Sequence, residues 1–440
     1  MGGLRAAEQL RAAGWEEEIV VVGDEIHPPY NRPPLSKDLL AAPGSREEAL
    51  AAVQLRQRRT ATDIQWRFGS AVVAADLAAR TLTLGTREEL AYDGLVIATG
   101  LRPRRVPVPG PTAGRHVIRR LEDTMALHGE LKPKTRVVVI GAGFIGCEAA
   151  ATAAGLGCQV TLIEGTGGPM ERPLGHELSA GIRTFLQTHG IDCVPGKRVT
   201  EFLDMPGTYT EGAGRCAGVR LEDGTEVAAD VVIEAIGSLP NVEWLAGNGL
   251  DLSDGVLCNE HLQVLGAEHV VAVGDVARYP DRRAGGPARR VEHWATPADT
   301  AKIAAPALVA ALQGADNGLT SAGLGSTITR AGFQAHDGFI YETLTGRGGV
   351  LVAAAAFASF DSLVTGQVGP FGIILLAVTV GGTLFGIVGA FLAVPVAAVG
   401  AVVVRYLSEQ ANLRSGSVRP QEVHPDTDEG RRAAERAERS

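Results

Sequence analysis

No cysteine precedes Cys147, no two cysteines stand in a CxxC spacing, and the five present (Cys147, Cys158, Cys193, Cys216, Cys258) are scattered. That argues against a disulfide framework and a cysteine-built zinc site, and it fits a reducing compartment. Positive charge is also short, since 41 Lys and Arg against 50 Asp and Glu leave a net charge of −9. With no basic, aromatic-interleaved patch either, nothing points to nucleic acid. The opening MGGLRAAEQLRAAGW has no uninterrupted apolar core, so it does not read as a secretory signal. It reads as a helix that begins abruptly.

What the chain does have, for two thirds of its length, is alternation of helix and strand. Leu4 to Ala13 is Ala-, Arg- and Leu-rich, EEIVVVG (Glu17 to Gly23) is a buried strand, and LAYDGLVIATG (Leu90 to Gly100) is another that ends in a glycine turn. After a proline-punctuated crossing from Arg102 to Pro111, a second unit carries the strands TRVVVIG, CQVTLIE and ADVVIEAIG. Short strands including VVAVGD (Val270 to Asp275) and an Ala-rich helix from about Pro297 complete the first unit. Such alternation predicts an α/β architecture.

The strongest motif lies in the second unit. TRVVVI supplies a strand, Gly141, Gly143 and Gly146 fill the G-x-G-x-x-G positions around Phe144 and Ile145, and EAAATAAGLG continues as a small-residue helix. The first glycine permits a tight turn, the second lets backbone approach a pyrophosphate, and the third lets helix and strand pack closely. The helix N-terminus then faces the anion. The next strand ends in Glu164, at the separation of about 20 residues where a carboxylate binds ribose hydroxyls and repels a 2′-phosphate. NADH is therefore expected rather than NADPH. In the first unit Gly3 sits where a third glycine would, and Asp24 and Glu25 close the strand as ribose-binding acids would.

The runs RPPLSK, VIATG, VIGAGFIGCE, VVIEAIGSLPNVEWL, VVAVGD and VEHW, spread over about Gly2 to Gly314, resemble the NADH-dependent ferredoxin reductases of oxygenase systems, the putidaredoxin and rubredoxin reductase type. The resemblance implies two Rossmann-like domains binding FAD and NAD. It implies that Asp275 meets the ribitol chain of FAD and that Lys37 lies by the flavin ring, paired with Glu148. An ammonium there stabilises the anionic reduced flavin, and the carboxylate holds it in place. Trp294 against the ring, with Arg32, Val72, Thr99, Gly100, Arg119 and Gly237, would complete the cofactor contacts. Disulfide reductases and NADH peroxidases need a reactive cysteine near the flavin, usually in the first module. With none before Cys147, the implied acceptor is a ferredoxin or rubredoxin.

Two departures from the family shape further expectations. The chain starts inside the first fingerprint, so the first strand and two leading glycines of the FAD module are expected to be missing. Residues 348–404 carry a single charge, Asp361, against the ~20 apolar residues that one membrane helix needs. PFGIILLAVTVGGTLFGIVGAFLAVPVAAV (Pro370 to Val399) resembles the final membrane segments of the autoinducer-2 exporter family. The expected organisation is a three-layer α/β protein: an FAD-binding domain in two parts (1–110 and 237–314) around an NAD-binding domain (111–236), then a linker (315–347), two α-helical membrane-inserting spans (348–407) and a disordered charged tail (408–440). The catalytic part would be cytoplasmic, anchored to the inner membrane. An inactive chimeric or truncated product, and a transporter fragment carrying a relic nucleotide-binding domain, stay open as alternatives.

Overall fold

The computed structural model describes residues 1–59, 61, 63–205, 214–280 and 287–314. The chain opens with helix α1 (Gly2–Ala12), whose Leu4, Ala6, Ala7 and Leu10 recur at helical spacing and are buried. Gly14 ends it at φ +87°, the left-handed conformation that lets Trp15 N–H donate to the Leu10 carbonyl at 3.0 Å. Strand β1 (Ile19–Val22) follows and pairs in parallel with β2 (Ile64–Arg67), Ile19 opposite Ile64. An antiparallel meander over residues 72–91 leads into β3 (Leu95–Ile97).

The second module is a five-stranded sheet formed by β4 (Arg115–His116), β5 (Arg136–Ile140), β6 (Gln159–Glu164), β7 (Ile191–Pro195) and β8 (Val231–Glu234). It has the order β7-β6-β5-β8-β4, and every pairing is parallel. Helix α2 (Phe144–Gly155) connects β5 to β6. Strand alternation sorts the sheet's two faces. Val137, Val139, Leu162 and Ile233 pack with Ala149, Ala150 and Ala153 of α2, while Val138, Ile140, Ile163 and Val232 pack with Phe202 and Val219 of an antiparallel meander. Both faces being covered explains why β5 reads as an unbroken apolar run.

The chain then returns to the first module. Strand β9 (Val270–Ala272) pairs in parallel with β3, and helix α3 (Thr296–Leu312) packs against α1. One hydrophobic cluster unites Ala6, Ala7 and Leu10 of α1, Ile19 of β1, Ile97 of β3, Val270 to Val273 and Ala301 to Val309 of α3.

The first module was expected to lack its first strand. Its parallel strands form two separate pairs, β1–β2 and β3–β9, with no ladder between them among the described residues, and α1 packs with both in one core. An added Cβ on Gly2 would lie 3.3 Å from Ala98 Cβ, and one on Gly3 3.1 Å from Val21 Cγ1. A membrane-inserting segment was also expected. No helix among the described residues is long and apolar enough to cross a membrane. The stretches at 315–347, 348–407 and 408–440 lie outside the described residues.

Candidate active site

The turn between β5 and α2 is the tightest in the second module. Gly141 adopts φ +97°, and a Cβ there would meet the Ala235 carbonyl oxygen at 2.4 Å. A Cβ on Gly146 would fall 1.9 Å from the Gly141 carbonyl oxygen, so the helix can begin only with glycine at this point. Gly143, by contrast, has no atom within 4 Å of an added Cβ. It caps α2 and faces open space, with Phe144 and Ile145 exposed beside it. Glu164, at the end of β6, accepts from Ala142 N–H at 2.8 Å and from Thr166 N–H and Oγ1 at 3.1 and 3.0 Å. Its carboxylate is therefore already fixed to the glycine loop.

A second constellation lies where the modules meet. The turn Pro33–Ser36 and Lys37 rest on α2, with Lys37 Nζ 3.3 Å from Glu148 Oε1 and Ser36 Oγ donating to Glu148 Oε2 at 2.6 Å. Both ends of the Lys37–Glu148 pair are about one third exposed.

The third constellation joins first-module residues to Arg119, at the edge of the second module. Glu25 accepts from Tyr30 Oη and, at 2.6 Å, from Arg32. Burial opposes its charge, but Arg32 and the two hydrogen bonds prevail and hold the Glu25 carboxyl below its ordinary range. Arg32 also donates to the Arg119 carbonyl. Arg119 Nε donates to Leu101 O at 3.0 Å, and its Nη2 lies 3.8 Å from Asp275 Oδ2 and 3.5 Å from where a Gly100 Cβ would be. Burial pushes the Asp275 carboxyl up, with Arg119 opposing it. Among the described residues Asp275 Oδ1 is buried without a hydrogen-bond partner. A buried acceptor of this kind costs about 1–3 kcal/mol unless a donor arrives. A hydroxyl-bearing ligand would supply one.

Thr99 exchanges hydrogen bonds with Asn241, Oγ1 to Asn241 O at 2.7 Å and Asn241 Nδ2 to Thr99 O at 2.9 Å, which ties the outgoing chain to the returning one. Gly237 turns that return at φ +97°. Asp24 faces Arg120 at the surface. Val72 packs on the first-module core, and Trp294 is 58% exposed beside His293. No hydrogen bond or ion pair among the described residues ties Val72 or Trp294 to the three constellations. Sequence reasoning did not single out Tyr30, Ser36 or Asn241. Only the adjacency of Ser36 to Lys37, and of Asn241 to the SLPN run, could have signalled them.

The cysteines are not built for thiol chemistry. All five are free, and burial pushes the Cys147 thiol, near the start of α2, up to about 12. At neutral pH it carries no thiolate to act as nucleophile.

Residues 1–301 match the model of the family described as pyridine nucleotide-disulphide oxidoreductase. The match gives no support to the reading of the chain as an N-terminally truncated member. It ends before residue 348, so it gives no support to the exporter resemblance. The biphenyl dioxygenase system ferredoxin–NAD(+) reductase component of Paraburkholderia xenovorans (strain LB400) is 36% identical, covering 70% of this chain and 72% of that protein. The p-cumate 2,3-dioxygenase system ferredoxin–NAD(+) reductase component of Pseudomonas putida is 37% identical, covering 68% and 70%. Among solved structures, the covalent putidaredoxin reductase–putidaredoxin complex matches with a TM-score of 0.64 at 33% identity, covering 70% of this chain and 72% of that one.

Proposed function

The chain belongs to the pyridine nucleotide-disulphide oxidoreductase family, and from that premise we propose that Lys37, held by Glu148, is the charge that faces the flavin. The enzyme is an NADH-dependent FAD oxidoreductase that passes electrons to a ferredoxin- or rubredoxin-type acceptor.

The observation that carries the reading is the Lys37–Glu148 pair, one end on the first module and the other one turn into the helix that opens at the dinucleotide loop. When bound, FAD supplies the exchange between a two-electron donor and one-electron acceptors. Around it this chain's residues bind, orient and hold charge. Asp275, with its unpartnered oxygen, Arg119 and Gly100 would receive the ribitol and diphosphate, and Glu25, set by Tyr30 and Arg32, a ribose. Gly143 and the N–H groups that open α2 would meet the nicotinamide dinucleotide's diphosphate. Glu164 would accept from its ribose. Lys37 would hold its ammonium beside the flavin, and no proton need move through it.

Two expected results follow for these residues. Asp275→Ala should weaken FAD retention about tenfold or more, because a hydrogen bond to a charged group contributes about 1.5–3 kcal/mol. Flavin released on dilution measures this, and release at the wild-type rate would remove Asp275 from the site. Glu164→Ala should raise KM for NADH about tenfold and erode the preference for NADH over NADPH. Parallel kinetics with both nucleotides read it, and an unchanged ratio would contradict the role given to Glu164.

The one-electron acceptor is tested by supplying a [2Fe–2S] ferredoxin with NADH and following its visible spectrum. Reduction supports the reading, whereas NADH-driven reduction of a disulfide substrate with the ferredoxin untouched would sink it. Free cysteines and the lack of a membrane-spanning helix among the described residues support a cytoplasmic site of action. Recovery of the activity in a membrane pellet would contradict that placement.

A further inference from the structure

The Lys37 turn is seated on the second module by more than its ion pair. Two consecutive carbonyls of the turn each accept a hydrogen bond from a threonine of a different helix. Thr124 Oγ1, on the helix Leu121–Glu130, donates to Leu35 O at 3.0 Å, and Thr152 Oγ1, on α2, donates to Ser36 O at 2.9 Å. Ser36 is 3% exposed, and its hydroxyl donates to Glu148 at 2.6 Å. Glu148 and Thr152 are four residues apart, hence neighbours on one face of α2. The Glu148 carboxylate is thus divided, one oxygen to the Ser36 hydroxyl and the other to the Lys37 ammonium.

From this arrangement we infer that Ser36 and Thr152 are positioning residues for electron transfer. They form a clasp that fixes which oxygen of Glu148 meets Lys37, and so fixes where the ammonium sits. The inference rests on the reading that Lys37 faces the flavin. Without the Ser36 hydroxyl the carboxylate can rotate and take the ammonium with it. Without the Thr152 hydroxyl the turn loses its register on α2, because a buried carbonyl is left without its donor. Neither residue is placed to touch NADH, so its affinity should not change.

The test uses the full-length, FAD-loaded protein, with Ser36→Ala, Thr152→Val (close to threonine in shape) and Thr152→Ser (which keeps the hydroxyl). Anaerobic stopped-flow gives the hydride-transfer rate, and titration against a redox dye gives the flavin's reduction equilibrium. Ser36→Ala and Thr152→Val should each slow hydride transfer about tenfold and shift the equilibrium several-fold towards the oxidised form, with KM for NADH unchanged. Thr152→Ser should stay near wild type. A wild-type rate and equilibrium in Ser36→Ala would overturn the inference, as would equal losses in Thr152→Ser and Thr152→Val. Should Thr152→Val fail to fold, Ser36→Ala decides. A wild-type chain that takes up no flavin would instead overturn the underlying reading, and the inference with it.

Discussion

Replacing Lys37 by methionine is expected to lower NADH-driven turnover about a hundredfold, the usual cost of removing one preorganised electrostatic partner from a site where charge develops. Methionine keeps the length and much of the apolar stem but removes the ammonium. The loss is compounded by what stays behind. Glu148, 3.3 Å from Lys37 in the native protein, would retain the Ser36 hydroxyl as its hydrogen-bond partner, and its negative charge would then disfavour reduction of the cofactor beside it. The double variant Lys37→Met with Glu148→Gln should therefore recover part of the rate, a non-additivity expected of residues that act as a unit. KM for NADH should hold steady, since the pair lies outside the glycine loop. Steady-state kinetics with flavin content measured in parallel give the answer. Turnover within twofold of wild type in a flavin-replete Lys37→Met would remove the lysine from the mechanism.

Gly146→Ala should abolish NADH binding, weakening it more than a hundredfold, and should cost about 3 kcal/mol or more of stability in the second module. The added methyl would sit 1.9 Å from the Gly141 carbonyl oxygen. Gly141 cannot yield, because its own Cβ direction is blocked by Ala235 O at 2.4 Å and its N–H is bound to Ile163 O at 2.8 Å. The first turn of α2 must therefore unwind, scattering the N–H groups aimed at the diphosphate. FAD should be retained better than NADH, because Asp275 stands between Val273 and Val276 of the first-module core. NADH fluorescence titration with a thermal melt separates these effects. NADH affinity within threefold of wild type would refute the assignment of this loop.

Local patterns carried much of the fold. The GAGFIGCE run could be read because strand, turn and helix are contiguous there and each glycine answers a different steric demand. Glu164 could be read because it ends the adjoining strand at a fixed separation. The residues that escaped notice act across distance in the chain. Ser36 meets Glu148 from 112 residues away, and Thr124 meets Leu35 from 89. Buried Glu234, gathering Arg105, Arg115 and the Val106 N–H, spans more than a hundred positions. No periodicity encodes such pairs. The role of α1 was partly hidden: Gly3 approaches Val21 of β1 as a third fingerprint glycine would, whereas the approach of Gly2 to Ala98, far off in the chain, has no local signature. The apolar run after residue 348 lies outside the described residues. Lack of charge is a local property, and by itself it fixes neither a span nor a family.

The central claim, that one chain joins an NADH site to a flavin site through Lys37 and Glu148, is tested most directly by anaerobic titration of the FAD-loaded protein with NADH. The account predicts a yellow protein whose flavin absorbance bleaches stoichiometrically as NADH is added. A protein that binds NADH yet stays colourless after incubation with FAD, or one whose bound flavin NADH does not bleach, would contradict it.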